Sequence, residues 1–169
     1  RRTGKTPFQV ADKEAVAVIK QSFLEVTGKY ATENDIKETQ LDITYAKNMR
    51  LTQKEIGEMD TDVDNFPEIF RTYNNKLRQM HMIDYDDQMI YALRILEQYP
   101  EVLAHFREQY RYFCVDEAQD TSRIQHDMID LLAAQSRNLF MVGDEDQSIY
   151  GFRAAYPQAF ISFEDRHQG

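Results

Sequence analysis

Two short apolar runs constrain this chain more than any other feature. Tyr112, Phe113, Cys114 and Val115 stop abruptly at Asp116 and Glu117, and residues 138–142 stop at Gly143 and Asp144. Between them Thr121 or Ser122 can cap a helix that sets Ile124, Met128, Leu131 and Leu132 on one face. Two strands joined by a crossover helix run parallel in one sheet. Both runs are apolar throughout, which predicts strands buried on both faces, with Cys114 as a small buried strand residue. In open parallel sheets ligands gather beyond the carboxyl ends of the strands, and here both ends carry acid.

The first hundred or so residues read as helices. Asp12 is suited to cap a helix carrying Val16, Ile19, Phe23 and Val26, and Gly28 is suited to stop it. Thr32 with Asp35, and Thr52 with Glu55, have the spacing of capping boxes; Ile36, Ile43 and Ala46 mark the face of the helix after the first. The clearest stripe is Val63, Phe66, Phe70, Tyr73, Leu77 and Met80, with Pro67 in the first turn, where its missing N–H costs little. It is too short for a coiled coil and reads as a helix packed on its neighbours. Residues 84–87 then cap a helix bearing Met89, Leu93 and Leu96, which ends at Tyr99 and Pro100, and a shorter helix follows with Val102, Leu103 and Phe106. The fold class is therefore α/β and predominantly helical: a helical insert, residues 1–83, then a partial parallel α/β domain, residues 84–169.

Composition removes several classes of function. Of 169 residues, 42% are hydrophobic and 29% charged, a globular balance that argues against disorder. No apolar run is long enough to span a membrane, and no signal-peptide pattern opens the chain. One cysteine cannot make an internal disulfide, and four scattered histidines (His81, His105, His126, His167) without a Cys pair argue against zinc. The net charge of −9 argues against a surface that grips nucleic acid everywhere, though a local site is compatible with it. Asp60, Asp62 and Asp64 alternate as calcium ligands do, but the glycine and distal glutamate of such a loop are missing, so they read as a solvated loop and helix cap.

An acid directly after an apolar strand is where a nucleotide-binding protein holds Mg2+, because a hard cation takes carboxylate oxygen at a rigid edge. A second acid beside it can activate the water that attacks a terminal phosphate. For either strand alone, the bland reading of an acidic loop start or a helix cap is stronger. Together the two loops are far more specific. Residues 115–122 read VDEAQDTS and residues 142–155 read VGDEDQSIYGFRAA. This pair closely resembles motifs II and III of the UvrD/Rep family of superfamily 1 DNA helicases.

The resemblance implies a role for each matching residue. Asp116 matches the acid that coordinates Mg2+, and Glu117 the carboxylate that activates water. Gln147 matches the glutamine that contacts the γ-phosphate of ATP and reports its presence to the DNA site; an amide suits this, being donor and acceptor at once. Tyr150 and Phe152 match aromatic positions on which single-stranded bases stack, at about 1–3 kcal/mol per base. Arg153 matches an arginine linking the phosphate sensor to the DNA groove. Phe152 stands where the family often has tryptophan, which reduces stacking area, and Ala154 where it usually has glycine. Asp120 and Thr121 read as helix-capping residues, and His81, His105 and His126 as surface or helix-packing residues.

By the same resemblance residues 1–83 correspond to the helical subdomain 1B and residues 84–169 to part of motor domain 1A. The parent protein is then expected to be an ATP-dependent helicase moving 3′ to 5′ on single-stranded DNA and unwinding duplex DNA, cytoplasmic and nucleoid-associated, with ATP and Mg2+ as cofactors. A helicase–nuclease of recombinational repair remains open, as does a non-catalytic interaction module. Gly4, Lys5 and Thr6 imitate the end of a phosphate-binding loop, but no glycine stands five residues earlier and Pro7 follows at once. Because the sequence starts at Arg1 without a methionine and holds no such loop, it is expected to be a piece of a longer protein and inactive by itself.

Overall fold

The structure is a computed structural model and describes residues 8–144. The chain divides into two compact units, one of Arg1–Lys47 with Leu51–Gln88, the other of Asn48–Arg50 with Met89–Gly169. Most described residues are helical, and the strands form two small parallel sheets.

In the first unit, α1 (Lys13–Thr27) ends at Gly28, whose φ of 71° carries the chain out of the helix while its N–H still bonds Leu24 O at 2.9 Å. α2 (Glu33–Asn48) opens on a reciprocal pair: Asp35 N–H donates to Thr32 Oγ1 at 3.2 Å, and Thr32 N–H to Asp35 Oδ2 at 2.8 Å. Thr52 and Glu55 repeat this at α3 (Gln53–Gly57). α4 (Phe66–Gln79) takes Pro67 in its first turn and packs along α1. The core is one cluster from these helices, including Val18, Ile19, Phe23, Ile43, Ala46, Ile56, Phe66 and Ile69.

The α4 stripe differs from the sequence reading. Phe66, Ile69, Tyr73 and Leu77 are buried, Phe70 is half-buried, and Met80 is 48% exposed. A helix turns every 3.6 residues, so the inward line runs 66, 69, 73, 77, whereas the heptad-like reading drifts off the face. Met80 stands past the last turn, at the C-cap. The first hundred residues are also not purely helical: β1 (Gln9–Val10) and β2 (Met82–Ile83) pair in parallel, with Ala11 N–H donating to Ile83 O at 2.8 Å. Strands of two residues are too short for any periodic signal.

This unit also buries a cation. Lys47 Nζ donates to Asp84 Oδ2 at 2.6 Å and Asp87 Oδ1 at 2.8 Å, and Tyr73 Oη donates to Asp84 Oδ2 at 2.9 Å. Asp84 Oδ1 accepts from Asp87 N–H at 2.8 Å, so the expected capping residue also serves as counter-ion. Burial, with Asp84 second, pushes the Tyr73 phenol far above its ordinary value.

α5 (Tyr85–Gln98) buries Leu93 and Leu96 and stops at Tyr99, after which Pro100 opens α6 (Pro100–Gln109). β3 (Phe113–Val115), a 3-10 turn (Ala118–Asp120), α7 (Arg123–Ala133) and β4 (Leu139–Met141) complete the expected strand–helix–strand unit. The two strands are parallel, with Phe113, Cys114 and Val115 in register with Leu139, Phe140 and Met141. Their burial departs from expectation. Phe113, Val115, Leu139 and Met141 are half-buried, but Cys114 is exposed and Phe140 is 64% exposed. Side chains alternate along a strand, and among the described residues only one face of this pair is covered.

Candidate nucleotide-binding edge

Asp116 and Glu117 follow β3 at its carboxyl end, and both are exposed. The backbone there is unusual. Glu117 has φ 51° and ψ 44°, a left-handed conformation that non-glycine residues seldom adopt. It lets the chain leave the strand at once, so that Ala118, buried next to it, starts the 3-10 turn. Asp116 Oδ1 accepts from Glu117 N–H at 3.0 Å, which fixes one carboxylate oxygen.

The loop after β4 lies against this turn. Val142 N–H donates to Val115 O at 2.8 Å, and Ala118 N–H to Val142 O at 2.9 Å, which carries the strand ladder past both strand ends. Gln119 completes the join. Its amide is buried, with the residue 2% exposed; Nε2 donates to Glu117 Oε2 at 2.8 Å, and Oε1 accepts from Asp144 N–H at 3.0 Å. Neither charge nor periodicity marks Gln119 for a role in the sequence.

Behind the turn, Thr121 Oγ1 donates to Ala118 O at 2.6 Å and lies 2.6 Å from His126 Nε2, with His126 buried. Of the two caps considered for α7, it is Ser122 that occupies the position: Gln125 Oε1 accepts from its N–H at 2.7 Å. Thr121 closes the 3-10 turn instead, and Asp120 N–H bonds Glu117 O at 2.9 Å within it. His126 is a packing residue, one of the two readings open to it.

Of the residues singled out for chemistry, Asp116 and Glu117 therefore stand together at the edge shared by two parallel strands. Gln147, Tyr150, Phe152 and Arg153 lie outside the described residues. Among the described residues no three His, Cys, Asp or Glu side chains gather as a metal cage, and no helix is long and apolar enough to cross a membrane.

Comparison with known proteins gives a consistent picture. A model of the UvrD/REP helicase N-terminal domain matches residues 2–168. The ATP-dependent DNA helicase PcrA of Leuconostoc citreum is 35% identical over 124 residues, which are 72% of this chain and 17% of that protein. The proteins of the same name from Staphylococcus aureus and Staphylococcus epidermidis are 40% identical over 96 residues and 38% identical over 97, in each case 57% of this chain and 13% of theirs. The chain thus spans a small part of the length of the relatives it matches.

Proposed function

The chain belongs to the UvrD/REP helicase N-terminal domain family, and we propose that it is part of an ATP-dependent DNA helicase that moves 3′ to 5′ on single-stranded DNA and opens duplex. Residues 1–83 are its helical insert and residues 84–169 part of its first motor domain. One observation carries this reading: Asp116 and Glu117 sit side by side, exposed, at the carboxyl end of β3, with the loop after β4 hydrogen-bonded alongside.

The residues present fit Mg-ATP. Mg2+ keeps most of its waters and takes only one or two carboxylates besides phosphate oxygens, so a single exposed Asp116 suits it and no metal cage is needed. Bound Mg-ATP supplies the phosphoryl group and the positive charge that eases its departure. Asp116 would hold the ion at the strand end. Glu117 orients a water and takes its proton. Gln147 reads the γ-phosphate, Arg153 relays that contact toward the DNA groove, and Tyr150 and Phe152 stack on bases of the single strand.

The test is DNA-stimulated ATP hydrolysis and duplex unwinding by the intact protein that carries this chain. Glu117→Gln keeps the side chain's shape and removes its basicity, so kcat should fall by about 10²- to 10⁴-fold while ATP still binds. A variant that hydrolyses ATP at the wild-type rate would refute the reading. The 169 residues alone contain no phosphate-binding loop, and they should show no turnover.

A further inference from the structure

We infer that Gln119 is a positioning residue that aims the Glu117 carboxylate and makes that aim depend on the loop after β4. The inference rests on the reading of Glu117 as the water-activating group. A general base must meet its proton at hydrogen-bond distance. Glu117 is exposed, and a long exposed carboxylate left to itself samples many rotamers. One oxygen of this carboxylate is held instead by Gln119 Nε2 at 2.8 Å.

The chemistry of the two partners leaves few choices for a residue between them. A carboxylate only accepts, and the Asp144 N–H only donates. A side chain touching both must donate at one atom and accept at its neighbour, which a primary amide does in a single plane. Glutamate, of the same shape, could serve Asp144 but would repel Glu117. Lysine could serve Glu117 but not Asp144. The amide is buried while the carboxylate it holds is exposed, so water competes poorly for the bridge at the end that anchors it.

The bridge also joins two loops. Ala118–Asp120 is one short turn with Glu117 at its head, and Asp144 opens the segment after β4. A shift of that segment by the length of a hydrogen bond breaks the contact with Gln119 Oε1, frees the amide to rotate, and releases Glu117. The catalytic carboxylate is thereby sensitive to the segment that runs on toward Gln147.

The experiment uses the intact helicase with Gln119→Glu, Gln119→Met, Glu117→Gln and the double variant Glu117→Gln/Gln119→Met. We expect both Gln119 variants to lose about 10- to 100-fold in kcat, as misplacement of a catalytic group does, with the KM for ATP changed by no more than about threefold. Gln119→Glu keeps the shape but sets a second carboxylate against Glu117, so its loss in kcat should be at least as large as that of Gln119→Met, which removes the bridge without adding charge. The double variant should be within about twofold of Glu117→Gln alone, because once the base is absent Gln119 has nothing left to aim. If Glu117→Gln is inactive while Gln119→Glu keeps wild-type kcat, the inference fails and the helicase reading stands. Losses that multiply in the double variant overturn it as well. Wild-type activity in Glu117→Gln removes the reading on which it rests. Should Gln119→Met fail to fold, the isosteric Gln119→Glu decides by a loss of kcat at unchanged KM.

Discussion

The buried cation in the first unit gives the sharpest test of how this chain holds itself together. Lys47 is 3% exposed at its side chain and lies 2.6 Å from Asp84 and 2.8 Å from Asp87. Its charge also lies over the Tyr73 ring, 5.4 Å from the centroid. Replacing it by methionine keeps length and most of the volume but removes the charge. Each ion-pair attraction at about 3 Å is worth roughly 5 kcal/mol at an effective dielectric of 20, and most of this is offset because an ammonium group no longer has to be stripped of water. What remains is two carboxylates facing each other in a buried site, a situation that usually costs about 3–5 kcal/mol. Two features favour the lower end: Asp87 is 18% exposed and can draw in water, and Tyr73 Oη still donates to Asp84.

Lys47→Met should therefore lose about 3 kcal/mol, or roughly 6–12 °C in Tm for a chain of this size. Urea unfolding followed by circular dichroism measures it. Adding Asp84→Asn to Lys47→Met should restore at least about 1 kcal/mol, because the uncompensated pair is then gone. A single variant within about 1 kcal/mol of wild type, or a double variant less stable than the single, would show that the triad's charges are not what holds this site.

Two further outcomes follow from local chemistry. Burial, the largest cause, raises the Asp42 carboxyl above its ordinary 3.8, with Glu38 and Asp62 adding to the rise and the hydrogen bond from Thr61 opposing it. The folded state then binds that proton more tightly than the unfolded chain, so this contribution to stability is full at low pH and is lost as the pH rises through the raised value. Asp42→Asn should flatten that fall, seen as a urea midpoint that no longer drops across the window above 3.8; an unchanged slope would contradict it. Gly28 has φ 71° and open space where a Cβ would stand, so Gly28→Ala meets no neighbouring atom but must hold a left-handed backbone that its Cβ disfavours, a cost of about 1–2 kcal/mol by urea unfolding; a neutral result would mean the helix ends differently.

Elements specified by neighbouring residues were legible in the sequence. Capping pairs at Thr32 and Thr52, the Gly28 stop and the Tyr99–Pro100 break are each decided within a few residues, and each appears where the pattern puts it. The parallel pairing of residues 113–115 with 139–141 was legible for a related reason: two apolar runs separated by one helix have few ways to meet. Burial of those runs was not, because composition reports what a strand tolerates and not which face is covered. Cys114 and Phe140 are apolar and exposed, in register with one another on a single face.

The polar partnerships show the same limit from the other side. Lys47 meets Asp84 across 37 positions, and Gln119 meets Asp144 across 25, separations at which no periodicity couples one residue to another. Asp84 looked like a helix cap, and it is one; its second task follows only once a lysine is buried against it. Gln119 is the more instructive case. Glutamine has no charge to draw attention and no fixed place in a periodic pattern, so a reading that looks for catalytic acids passes over it. Its value comes from position, since a buried amide between an acceptor and a donor satisfies both and can replace neither with water. The carboxylate that draws attention in the sequence is thus aimed by a neighbour that does not, and the decisive contact is one that only folding creates.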